Sequence, residues 1–253
     1  MEPVSSTRNQ HVVRAARLLR ARARREDGAT LLEGPHILAE AISVHAEVTD
    51  VFGLEDDLDA QSLAEDAGAR WFPVTEQVLR KISDTENPRG PVAIVVIPDP
   101  VTVDGDRIWL DTSDPGNAGT LIRSAAAFGF GVIVNPDAVD PWSPKVVRSA
   151  AGAHFHVPIA LGPPGDAFII ATIASGGMPL SNVADVLPPT TPICLLIGNE
   201  AHGLPAPIVE AADLRLSIPM VGDVESLNAA VAGAICMYEL MQFRGSAQRR
   251  RDG

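Results

Sequence analysis

The chain has 253 residues, 46% of them hydrophobic, with 20 basic against 32 acidic side chains and a formal charge of −12. That apolar content can bury the cores of two modest domains and excludes a disordered chain. No run reaches the roughly 18 consecutive apolar residues of a bilayer span, and the arginine-rich N-terminus lacks a signal peptide's apolar stretch, so a cytoplasmic protein that avoids membranes is expected.

Asn9 to Arg25 carries Val12, Val13, Ala16, Leu18 and Leu19 at helical spacing, which predicts one helix with an apolar stripe inward and its guanidinium groups outward. Arg8, Arg14, Arg17, Arg20, Arg22, Arg24 and Arg25 all fall between residues 3 and 25, with no acidic residue among them. Such segregation can grip RNA phosphates although the chain is acidic, because screening limits the reach of distant carboxylates to about 8–10 Å. The alternative is a solvated helix face. Ala29–Glu33 reads as a strand, Gly34-Pro35 as punctuation, Ile37–Ile42 as a helix and Val48–Gly53 as a strand. Glu76–Ile82 is a predicted helix and Pro91–Ile97 a predicted strand. Two prolines and a glycine in Pro98–Asp106 place a linker at 99–106, between a first domain over 1–98 and a second over 107–253.

Beyond the linker, apolar strands alternate regularly with helices. Strand Ile108–Leu110 precedes a helix near Asn117–Phe128, Gly131–Val134 precedes helical Ser143–Ala151, and Ala167–Ala174 precedes Pro179–Val183. Pro192–Ile197 and Leu214–Pro219 are strands, and Ser226–Phe243 is the long final helix. Strands apolar on both faces and alternating with helices predict an α/β fold with a mostly parallel sheet. A dinucleotide fingerprint is absent, since Gly129-Phe130-Gly131 lacks the third glycine and precedes a strand. A P-loop is absent too, the only lysines being Lys81 and Lys145. Cys194 and Cys236 sit in apolar surroundings and read as buried free thiols. His154 and His156 share one side of an expected strand, with nothing nearby to complete a metal site.

Three polar segments stand out in the second half. Asp114-Pro115-Gly116-Asn117 is a turn that caps a helix, with Asn117 at or near the cap and Arg123 somewhat under two turns on. Leu195-Leu196-Ile197-Gly198-Asn199-Glu200 carries a strand into a glycine turn, where ligands of open α/β sheets bind and where Glu200 sits at the mouth. Ile218-Pro219-Met220 through Ser226-Leu227-Asn228 leaves a third strand at a proline and enters a helix whose next residues, Ala229 to Ala234, are almost all small. That helix must have something packed very close to its backbone. Each segment alone is also explained by ordinary capping or a surface charge.

In that order, the three resemble the SpoU (TrmH) family of RNA ribose methyltransferases, in the SPOUT superfamily. Lys145 to Ala153 adds to the likeness, and Leu31-Leu32-Glu33-Gly34 resembles the family's small ribosomal-protein-like substrate-binding domain. The resemblance implies a C-terminal trefoil-knotted methyltransferase domain and a small N-terminal α/β domain. It implies homodimers that use S-adenosylmethionine, without a metal, to methylate a ribose 2′-hydroxyl of structured RNA, ribosomal RNA ahead of tRNA. Asn117, Arg123, Glu200, Ser226 and Asn228 match the family's polar catalytic set, and Gly198, Asn199, Ile218, Met220, Ser226 and Leu227 its cofactor cradle. A tRNA methyltransferase, an antibiotic-resistance ribosomal RNA methyltransferase and a non-catalytic RNA-binding protein on the same scaffold are the alternatives.

Overall fold

The computed structural model describes residues 2–88, 90–188, 190–199, 201–222 and 225–252, with side chains described as far as residue 245. In chain order the first elements are α1 (Gln10–Leu18), α2 (Ala21–Asp27), β1 (Ala29–Glu33), α3 (Pro35–Ser43), β2 (Val48–Leu54), α4 (Leu58–Asp66), β3 (Arg70–Val74), α5 (Glu76–Ile82) and β4 (Val92–Val96). They are followed by β5 (Arg107–Leu110), α6 (Pro115–Phe128), β6 (Gly131–Val134), α7 (Pro144–Ser149), β7 (Ile159–Leu161), β8 (Phe168–Thr172) and β9 (Met178–Pro179). The last are β10 (Ile193–Ile197), α8 (Ala206–Ala211), β11 (Leu214–Ser217) and α9 (Ala229–Asp252). Two units divide the chain: residues 1–99 with 140–156, and residues 100–139 with 157–253.

The first unit is built on a four-stranded sheet in the order β1-β4-β2-β3, with β4 antiparallel to both neighbours and β2 parallel to β3. Strand alternation splits its core into two layers. Leu31, Phe52 and Ile94 pack with Val12 and Leu18 of α1 and Val78 and Ile82 of α5. Their neighbours Leu32, Val51 and Ala93 face the other way, onto Ile37, Leu38 and Ala41 of α3 and Ala64 of α4.

The single helix expected over Asn9–Arg25 is two helices, because Arg20 adopts an extended conformation with ψ 132° and interrupts the ladder. The break has a purpose visible at Arg24, which is buried, contrary to the outward arginine face. Its Nη1 donates to the Leu18 carbonyl oxygen at 2.8 Å, at the end of α1, and its Nε donates to Asp140 Oδ2 at 3.0 Å. A fully formed ion pair thus replaces water around this guanidinium, and Arg24 is not available to RNA. His154 and His156 lie in a 3-10 turn, Ala153–His156, and not on a strand. The Nε2 of His154 donates to the Pro141 carbonyl oxygen at 2.7 Å, and burial lowers its pKa from 6.5 to about 4. His156 instead meets Glu40 at 2.7 Å, so the two histidines serve separate partners.

The second unit has seven strands in the order β7-β6-β5-β10-β8-β11-β9, every pairing parallel. Its central strands β5, β6 and β10 are buried at every residue, which is why they read as unbroken apolar runs. Helices α6 and α9 pack on each other, and α9 also contacts β10. The approach is very close at Gly233, where a Cβ would lie 2.5 Å from Leu121 Cδ2 and 2.6 Å from Ile197 Cδ1. The tail of α9 is held by Arg244, whose Nε and Nη2 grip the two oxygens of Asp106 at 2.9 Å each. Burial pushes both thiols, Cys194 and Cys236, up to about 12, so neither ionises near neutrality.

Two outcomes are expected from this packing. Gly233→Ala is expected to destabilise the second unit by about 1–3 kcal/mol through overpacking, although alanine is intrinsically the better helix former by about 1 kcal/mol; urea unfolding measures the balance. His154 gives the first unit a pH dependence of defined sign. Its folded pKa of about 4 lies below the ordinary 6.5, so the unfolded chain takes up a proton that the folded chain refuses. This contribution to stability is complete above pH 6.5 and is lost as pH falls towards 4, at up to about 1.4 kcal/mol per pH unit. Unfolding midpoints across that range should show the loss in the native protein and a flatter profile in His154→Gln.

Candidate active site

At the carboxyl ends of β8, β10 and β11 in the second unit lies a cavity of about 400 Å³. Parallel strands that end together leave their following loops side by side, which is where open α/β sheets bind ligands. Ile197, Leu216, Ile218 and Leu227 give apolar walls, Gly198 and Met220 line it, and Asn199, Ser226 and Asn228 supply polar groups. Among the described residues, none of its lining side chains is charged.

Gly198 is needed on steric grounds. A Cβ there would lie 2.4 Å from the carbonyl carbon of Gly203 and 2.4 Å from the Leu204 nitrogen, both backbone. The loop folds back so tightly because Asn199 and Gly203 exchange backbone hydrogen bonds of 3.2 and 2.8 Å, and Gly203 takes a left-handed φ of +66°. The second segment is thereby a pinched loop with its backbone exposed to the cavity.

The segment ahead of α6 joins the other two. Asn199 Nδ2 donates to Ser113 Oγ at 3.2 Å, and Asn228 Nδ2 donates to Asn117 Oδ1 at 3.0 Å. Asn228 Oδ1 meanwhile accepts from the backbone nitrogens of Ala230 at 2.9 Å and Val231 at 3.2 Å, capping α9. Two details differ from the sequence reading. The cap of α6 is Asp114, whose Oδ1 accepts from the Asn117 nitrogen at 2.7 Å, while the Asn117 side chain accepts from Asn228. Helix α9 begins at Ala229 and not at Ser226, because Asn228 offers the capping oxygen, so Ser226 and Leu227 stay in extended loop beside the cavity.

Asn117, Asn199, Ser226 and Asn228 therefore come together, as do Gly198, Ile218, Met220 and Leu227. Arg123 lies on an exposed part of α6 and does not line the cavity within one chain. Glu200 lies outside the described residues. The arginines assigned to RNA belong to the first unit, where Arg14 meets Asp50 at 3.2 Å, Arg22 meets Glu26 at 2.7 Å and Arg17 meets Glu26 at 3.5 Å. Arg8, Arg20 and Arg25 are exposed. Sequence reasoning missed Thr172, Ile173 and Ala174, which line the cavity from the end of β8, as well as Ala232 and Cys236 from α9. The signal was the small turn Ser175-Gly176-Gly177 after a strand, the same strand-to-glycine pattern that marked Gly198.

Comparisons with known proteins agree with this geometry. Residues 108–238 match the model of the SpoU rRNA Methylase family, and residues 9–93 match the MRM3-like substrate binding domain. The 23S rRNA (guanosine(2553)-2′-O)-methyltransferase RlmP of Bacillus subtilis is 32% identical over 248 residues, covering 95% of this chain and 99% of that protein. The crystal structure of the SpoU methyltransferase AviRb from Streptomyces viridochromogenes, in complex with the cofactor AdoMet, superposes with a TM-score of 0.82 at 30% identity, over 94% of this chain and 99% of that one. An AdoMet-bound rRNA methyltransferase from Sinorhizobium meliloti gives a TM-score of 0.79 at 26% identity, covering 95% of this chain and 97% of that one. With its family match spanning more than half its length, and with this cavity at the ends of its parallel strands, the chain belongs to the SpoU rRNA methylase family.

Proposed function

We propose that the protein transfers the methyl group of S-adenosylmethionine to a ribose 2′-hydroxyl of ribosomal RNA. The observation that carries this reading is the pair of asparagine contacts, Asn199 to Ser113 and Asn228 to Asn117, which gather three distant segments around one cavity. The cavity suits the cofactor: its apolar walls accept a flat heterocycle, Gly198 lets backbone groups come close, and among the described residues no lining cation repels a sulfonium. S-adenosylmethionine supplies a methyl group already activated on sulfur. The protein's own contribution is then position and charge. Ser226 and Asn228, at the mouth, orient the ribose by hydrogen bonds, and Asn117 fixes the Asn228 amide against rotation. Holding the hydroxyl in line with the methyl carbon supplies much of the acceleration.

Arg123 is assigned to electrostatics. A guanidinium with a pKa above about 12 stays charged at neutral pH, so it is a poor proton acceptor and a good stabiliser of a developing alkoxide and of the adjoining phosphate. Its position away from the cavity is accounted for by a homodimer in which a second copy brings its own Arg123 to this site. Support for that assembly comes from Val231, Ile235 and Tyr238, spaced along α9 and 48%, 37% and 45% exposed, an apolar stripe beside α6. The likenesses to RlmP and to the Sinorhizobium meliloti rRNA methyltransferase favour ribosomal RNA over tRNA. The division of labour follows the chain, with RNA held by the N-terminal domain and methyl transfer by the C-terminal one. Among the described residues no helix is long and apolar enough to cross a membrane, and a cytoplasmic site of action fits a ribosomal substrate.

Mass spectrometry of ribosomal RNA incubated with the protein and labelled cofactor is expected to find a labelled 2′-O-methyl nucleoside; unlabelled ribosomal RNA beside labelled tRNA would redirect the assignment, and no label in either would end it. Arg123→Ala is expected to lower the transfer rate by about 100-fold or more while leaving cofactor affinity within a few fold by calorimetry. Gly198→Ala should do the reverse in order of cause, weakening cofactor binding by about tenfold or more because the new Cβ displaces cavity backbone.

A further inference from the structure

Asp50, on β2, is a carboxylate in the interior of the first unit, with a side-chain exposure of 1%. Cations surround it. Arg70 Nη2 lies 2.7 Å from Oδ1, Arg14 Nη1 lies 3.2 Å from Oδ2, His11 Nδ1 lies 3.8 Å from Oδ1, and the Thr49 hydroxyl donates to Oδ2 at 2.8 Å. The sheet register explains the gathering. Asp50 pairs with Arg70 and Phe52 pairs with Phe72 across β2 and β3, and α1 lays His11 and Arg14 over the same face. Rings stack beside the charges: Phe52 on Phe72 at 5.1 Å and 17°, His11 on Phe72 at 4.6 Å, with the Arg70 guanidinium 5.9 Å from the Phe72 centroid.

The anion is buried while its partners reach solvent, with Arg14 36% and Arg70 59% exposed. One buried negative charge is thus answered by two permanent positive ones, leaving a net positive, partly aromatic surface at the edge strand of the sheet. The opposite layer of the same unit has the other sign, since Glu55, Asp56, Asp57, Asp59, Glu65 and Asp66 crowd the start and end of α4. A polyanion is attracted to the first face and repelled from the second.

We infer that His11, Arg14, Arg70 and Phe72 form the RNA-docking platform of the N-terminal domain, with Asp50 as the buried post that holds the two guanidinium groups in place. The inference rests on the RNA methyltransferase reading and names the surface that takes its substrate. Preset guanidinium groups meet phosphate oxygens with little ordering left to do, and the Phe72 ring, packed between its aromatic neighbours, helps hold the Arg70 guanidinium in place. Arg70 and Phe72 were not signalled by the arginine-rich segment, and they lie about 45 residues beyond its end.

Binding decides the matter independently of methyl transfer. Fluorescence titration of full-length protein with bulk bacterial ribosomal RNA, repeated across salt concentrations, compares the native chain with Arg70→Ala, Phe72→Leu and Arg70→Lys. Arg70→Ala is expected to raise Kd by about tenfold and to lower the salt slope by about one, with S-adenosylmethionine affinity unchanged and the melting temperature lowered by the loss of one of the cations paired with buried Asp50. Phe72→Leu should weaken binding without altering the slope, and Arg70→Lys should keep the slope. Ribosomal RNA bound by Arg70→Ala within twofold and with the native slope would overturn the platform and leave the cluster a structural ion network. Native protein that binds RNA through Arg70 yet transfers no methyl group would overturn the catalytic reading alone, and native protein that binds no ribosomal RNA would overturn the platform outright.

Discussion

Helix α9 can lie where it does only because position 233 has no side chain. Any Cβ there would occupy space already taken by Leu121 of α6 and Ile197 of β10. That contact draws the start of α9 towards the start of α6, and the consequence is chemical as well as steric: Asn228 at one helix end and Asn117 at the other come within hydrogen-bonding distance. An added methyl group there must displace the side-chain ends of Leu121 and Ile197.

The same economy of space operates at Gly198, where the loop back from β10 presses backbone on backbone. Close approach of main chains gives a site whose described lining is largely peptide groups and uncharged side chains. Such a site binds by shape and needs few titrating groups. The charged group assigned to the reaction, Arg123, stands outside it on an exposed helix face.

Charge is partitioned in the first unit with similar strictness. The chain is acidic overall, yet its arginines are held by particular carboxylates: Arg24 by Asp140, Arg14 and Arg70 by Asp50, Arg148 by Asp84 and, at 3.4 Å, Glu33. Where the carboxylate is the buried member, as at Asp50 and Glu33, the guanidinium partner carries the solvent-facing charge, whereas at Arg24 and Asp140 the order is reversed and the carboxylate reaches water. Net charge is therefore a poor guide to what this protein attracts. What matters is which side of each ion pair reaches water.

By itself the sequence determined local conformation and burial. The ranges expected for β1, α5 and β6, Ala29–Glu33, Glu76–Ile82 and Gly131–Val134, are those observed, since apolar period and flanking glycine or proline act over a few residues. It also marked the three polar segments, because asparagine, serine and glycine are out of place in apolar runs. It did not reveal α4, whose apolar residues are few among carboxylates, nor β3, where Pro73 argues against a strand and is tolerated only at the sheet edge, its carbonyl accepting from Val4 at 2.8 Å. The break at Arg20 was equally silent, as arginine is a good helix former and the partner of buried Arg24, Asp140, lies 116 residues away. Tertiary structure alone decided which polar groups meet: Asn117 with Asn228, Ser113 with Asn199, Arg70 with Asp50. The physical reason is range, for propensity and periodicity are set by near neighbours, whereas a hydrogen bond or ion pair is set by whichever group the fold delivers to within about 3 Å.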